Sequence, residues 1–69
     1  MKIAINKRYT TRDGREVFIA TTEAKNGTNY VVQGHIKGEP PGYIFNWLMD
    51  GHALTPEYSH KNDLIEVIE

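Results

Sequence analysis

Residues 13–27 read Asp-Gly-Arg-Glu-Val-Phe-Ile-Ala-Thr-Thr-Glu-Ala-Lys-Asn-Gly. Two turn dipeptides, Asp13-Gly14 and Asn26-Gly27, bracket a run in which Val17, Phe18, Ile19, Thr21 and Thr22 are β-branched or aromatic. Such side chains fit a pleated, half-buried surface. A tight two-residue hairpin turn needs positive φ at both central residues. Glycine adopts it freely, and Asp or Asn tolerates it. The stretch therefore predicts a strand held between two chain reversals, and that decides the fold class.

Outward from it, Thr28–Ile36 is again rich in strand formers and predicts the second arm of a central hairpin. Gly38-Glu39-Pro40-Pro41-Gly42 then breaks the pattern. Proline donates no backbone hydrogen bond and holds φ near −65°, so this is a loop. It lacks the proline spacing of a polyproline ligand. In Tyr43–Met49 the residues Tyr43, Phe45, Trp47 and Met49 alternate with Ile44, Asn46 and Leu48, the period of a strand. A third turn, Asp50-Gly51, sends the chain back through His52-Ala53-Leu54, which Pro56 ends. Residues 57–62 read as a surface loop, with room for one helical turn around Ser59–Leu64 capped by Ser59 or Asn62. Asp63–Glu69 reads as the last strand.

The result is an all-β chain: a small antiparallel meander curled into a five- or six-stranded open barrel. The sixth strand is Lys2–Ile5. Residues 1–69 form one domain. Curling buries one face and removes exposed edges. The expected core is Val17, Ile19, Val32, Phe45, Trp47, Leu54, Leu64 and Val67.

A chain of 69 residues buries only about 60% of its unfolded surface. Domains this small often need a disulfide, a metal or a partner subunit. The chain has no cysteine, which removes disulfides and thiolate metal sites. A homodimer stays open. No long apolar run marks a transmembrane helix, and the start carries no signal-peptide core, so the expected compartment is the cytoplasm.

Net charge is −1, so there is no general attraction to nucleic acid. The distribution is uneven. Residues 1–15 hold five bases and one acid, and residues 57–69 hold four acids and one lysine. Two neighbouring terminal strands of opposite charge would explain this, and so would a functional basic patch.

The three histidines, His35, His52 and His60, show no metal-ligand spacing. Ser59 is the only serine and sits in a loop beside His60. Neighbours in sequence rarely form a nucleophile–base pair. No glycine-rich phosphate loop is present. We expect no catalysis and no cofactor.

The aromatic residues are more informative. Four tyrosines and Trp47 exceed what so small a core hides. Arg8, Tyr9, Arg12, Arg15, Tyr30 and Tyr43 are the candidate binding residues. Tyrosine and arginine dominate protein-binding hot spots. They also serve single-stranded nucleic acid, stacking on bases and holding phosphates. Tyrosines half buried at barrel ends are the structural alternative.

The ordered set Tyr9-Thr10-Thr11-Arg12-Asp13-Gly14-Arg15, Trp47 with Asp50-Gly51, and Asn62-Asp63-Leu64 resembles a group of short phage and prophage proteins. Pro40-Pro41 lies outside that pattern. The resemblance implies a phage accessory protein in a bacterial cell that binds a host or phage protein. It brings no catalytic residues.

Overall fold

The computed structural model describes residues 2–68. Five strands follow in chain order: β1 (Tyr9–Thr11), β2 (Glu16–Thr21), β3 (Val32–Ile36), β4 (Phe45–Trp47) and β5 (Leu64–Glu66). They form one antiparallel sheet in the order β4-β3-β2-β1-β5. The sheet curls into an open half-barrel, and the described residues contain no helix. The all-β meander follows from the strand-rich runs and the glycine corners, as expected.

The corners differ in detail from two-residue turns. Among the described residues, positive φ occurs only at glycines: Gly14, Gly27, Gly38 and Gly51. Asp13, Asn26 and Asp50 keep negative φ, so both-positive turns are excluded. Thr11 instead accepts a hydrogen bond from Gly14 N–H (2.9 Å), and its own N–H donates to Arg15 O (2.7 Å). Leu48 repeats the arrangement with Gly51 and His52, both bonds at 2.9 Å. Each is a three-residue hairpin loop, in which one left-handed glycine follows an ordinary turn. The Thr11 hydroxyl adds a bond from Arg15 N–H (2.9 Å).

Asn26-Gly27 makes no tight corner. The chain from Thr22 to Val31 forms a wide loop, closed by Ala24 N–H to Val31 O (2.9 Å). Asn26 organises it by accepting from Thr28 N–H (3.1 Å) and donating to Tyr30 O (2.9 Å). The third strand is therefore shorter than the sequence suggests.

His52-Ala53-Leu54 is not a strand. Its ladder is replaced by single ties: Leu64 N–H donates to Gly51 O (2.9 Å), and Ala53 N–H donates to the Asp63 carboxylate (2.8 Å). Residues 60–63 form a turn, with Asp63 N–H on His60 O (3.0 Å). Lys2–Ile5 adds no sixth strand, although Ile3 N–H reaches Met49 O (3.0 Å).

The terminal strands do lie side by side. Tyr9, Thr10 and Thr11 pair with Glu66, Ile65 and Leu64. Lys7 and Glu66 form an ion pair across them (3.7 Å), and Arg12 and Asp63 another (3.2 Å). Two basic residues flanking β1 thus meet two acids of the C-terminal end.

The core is Ile3, Tyr9, Val17, Val32, Ile36, Trp47 and Leu64. Ile19 and Phe45 pack against it. Leu54 is exposed and Val67 half-buried, so neither belongs to the centre. Trp47 is fully buried, and its Nε1–H donates to Asn62 O (2.7 Å). That bond and the Gly51–Leu64 tie span one end of the gap between β4 and β5, where no strand pairing exists.

Candidate functional site

Three candidate residues turn out to hold the fold. Tyr9 is 1% exposed, and its hydroxyl accepts from Ala4 N–H (2.8 Å). Its ring therefore cannot meet a partner, which corrects its assignment as a binding residue. Alternation along β1 turns Tyr9 and Thr11 inward together.

Arg12 donates to Asp63, a carboxylate 2% exposed that also accepts from the N–H groups of Ala53 (2.8 Å) and His60 (3.0 Å). Burial pushes the Asp63 carboxyl up, but those two N–H groups and the Arg12 guanidinium outweigh it. The net result lies below the ordinary carboxylate value. Asp63 thus ties three separate segments to β5.

Arg15 contacts Asp13 (2.9 Å), Glu39 (3.0 Å) and the Asn62 side-chain oxygen. The Thr11 hydroxyl and Arg15 together hold the exposed Asp13 carboxyl below its ordinary value. The Arg-Asp-Gly-Arg run therefore joins loops through neutralised charges. Arg8 is exposed.

Tyr30 and Tyr43 stand apart from these and line one groove of about 310 Å³. Its wall is β4 and the residues before it. The Tyr43 and Phe45 rings lie 4.6 Å apart, and Phe45 and Trp47 6.2 Å apart. Ala53, Leu54, His60 and Asn62 form the opposite side. The Tyr30 hydroxyl donates to Leu54 O (2.7 Å) and bridges the β2–β3 loop to that side. Asn62 N–H donates to His60 Nδ1 (3.0 Å), which orients the imidazole. Tyr43, Ile44, Leu54 and Tyr58 are all substantially exposed apolar side chains on or beside this groove. The period-two alternation of residues 43–49 foreshadowed the aromatic wall. The contribution of residues 53–62 had no local signal, because it depends on Asp63 and Trp47 drawing that segment across.

A second cleft, also of about 310 Å³, holds Arg12, Asp50, His52 and Asp63. His52 N–H donates to Asp50 Oδ1 (3.1 Å). His52 Nδ1 sits 2.9 Å from the same oxygen, outside hydrogen-bonding angles. Burial pushes the Asp50 carboxyl up, and its close contacts with His52 bring it below the ordinary value. No hydroxyl or thiol nucleophile lines this cleft. Among the described residues, no three His, Cys, Asp or Glu side chains gather into a metal-binding group. No helix of the described chain is long and apolar enough to cross a membrane. No protein-family model, curated protein or solved structure matches the chain.

Proposed function

We propose that this chain is a small non-catalytic binding module that engages a protein partner through the groove beside β4. The observation that carries the reading is the gathering of exposed Tyr43, Ile44 and Leu54 around one open-sided concavity. Contiguous exposed apolar surface with a polar rim marks protein interaction sites. Tyr30 and Tyr43 supply amphipathic anchors of the type that dominates such contacts. The phage or prophage setting, with a host or phage protein as partner, rests on the ordered turn motifs alone.

Nucleic-acid binding is the weaker reading. Lys7, Arg12 and Arg15 each face a carboxylate, which competes with phosphate. The groove itself carries no arginine or lysine.

The test compares wild type with Tyr43→Ser and Leu54→Ser as bait in bacterial lysate, with mass spectrometry of what is retained. A protein held by wild type and lost from both variants, at unchanged melting temperature, supports the reading. Identical retention overturns it. Oligonucleotide binding that weakens steeply with salt would favour the nucleic-acid reading instead.

A further inference from the structure

We infer that the groove takes an extended, uncharged peptide segment of a partner protein, added as a strand along the outer edge of β4. This rests on the groove being a protein-binding site and names the chemistry of what it binds.

The backbone comes first. β4 pairs with β3 on one side through Phe45, Asn46 and Trp47. On the other side, no described segment hydrogen-bonds to the backbone of these three residues. An unpaired edge is a template for another strand. Natural edges are blunted by lysine, inward charge, bulges or a covering loop. The opposite edge of this sheet is managed in that way: Leu64 N–H is taken by Gly51 O, and Glu66 carries charge. At β4, Trp47 is fully buried and tied to Asn62, so the accessible backbone edge is Ile44–Asn46, across the groove from residues 53–62. From Pro40 to Met49 the chain holds no charged residue, and both prolines there, Pro40 and Pro41, precede the strand.

Charge complementarity then selects the occupant. The groove lining includes no Asp, Glu, Lys or Arg, and His60 is its only basic side chain. A charged segment would lose hydration there without a partner, which is costly. An uncharged strand instead exchanges backbone hydrogen bonds with β4. Its alternate side chains turn toward Tyr43, Phe45 and Leu54, the arrangement of strand addition in peptide-binding domains. With a rise of about 3.4 Å per residue, a segment of about four to five residues covers β4 and Tyr43. A second folded copy offers only an edge flanked by its own residues 53–62, whereas an extended segment enters without that bulk.

The probe is a displayed library of random decapeptides, selected on the full chain. Enriched peptides should share an uncharged core of β-branched and apolar residues. Bound, they should slow amide exchange at Ile44–Asn46. Ile44→Lys restores a guard at an exposed position and should weaken binding about tenfold or more while leaving the melting temperature unchanged. No enrichment, charged cores among the selected peptides, or protection confined to other strands would overturn the inference. So would a dimer in sedimentation that Ile44→Lys disperses, since the occupant would then be a second copy. If lysate capture depends on Tyr43 and Leu54 but no decapeptide is selected, the protein-binding reading stands and strand addition falls. If capture ignores both residues, the protein-binding reading falls.

Discussion

Gly34 and Gly14 are both glycines in β-structure, and they are needed for opposite reasons. A Cβ on Gly34 would lie 2.2 Å from the Phe18 carbonyl oxygen, backbone that cannot step aside. The β2–β3 register shifts between Ile19 and Thr21, just beside this contact. A Cβ on Gly14 meets nothing within 4 Å, but its φ is 91°. Gly34→Ala should therefore lose about 3 kcal/mol or more by forcing the strands apart. Gly14→Val should lose only about 1–2 kcal/mol of backbone strain. Urea unfolding ranks the two, and the reverse order would mean the strand approach is looser than drawn. Gly14 was legible, because Asp-Gly announces a corner. Gly34 was not, because its constraint is the neighbouring strand.

Asp63 is the other residue-scale constraint. Its carboxyl is held below the ordinary value of 3.8, so it stays ionised in the fold at pH values where the unfolded chain has begun to bind protons. The stability it contributes is complete above the unfolded value and is lost as pH falls through the folded one. The expected outcome is a steady loss of stability below about pH 4. In Asp63→Asn that loss should be shallower, and stability at pH 7 should drop by about 2–3 kcal/mol as its charge-assisted bonds weaken. Denaturant midpoints across pH measure both effects. An unchanged slope would assign acid sensitivity to other carboxylates.

At the scale of elements, the strands were readable and their connections less so. Val17, Val32 and Trp47 face inward by simple alternation. Residues 52–54 have strand composition but no ladder, because side-chain and single backbone ties take up their polar groups. Asn26-Gly27 resembles a tight turn, yet Asn26 spends its side chain organising a wider loop. The N-terminal segment docks through Tyr9. Tyr9→Phe keeps the buried ring but leaves Ala4 N–H without its acceptor, and should lower stability by about 1 kcal/mol. Faster exchange at the Ala4 amide should accompany it. A stability equal to wild type would show that water replaces the hydroxyl.

For the whole molecule, the Cα radius of gyration is 11.0 Å. A packed chain of this length has about 11 Å, so the long loops lie on the sheet rather than extending from it. That packing consumes most of the proposed arginine–tyrosine surface. Tyr9 enters the core, and Arg12 and Arg15 bind loops; Tyr30 and Tyr43 converge on the groove beside β4. The sequence by itself determined an antiparallel β-chain, its Asp13-Gly14 and Asp50-Gly51 corners and a buried Trp47. These rest on local backbone preference, side-chain alternation and composition. Only the tertiary structure decided which tyrosines are free, which arginines are neutralised and where the sheet stays open. Those outcomes depend on contacts between residues distant in sequence, such as Trp47 with Asn62, 15 positions apart, and Arg12 with Asp63, 51 apart, and no local pattern encodes which partner a side chain meets.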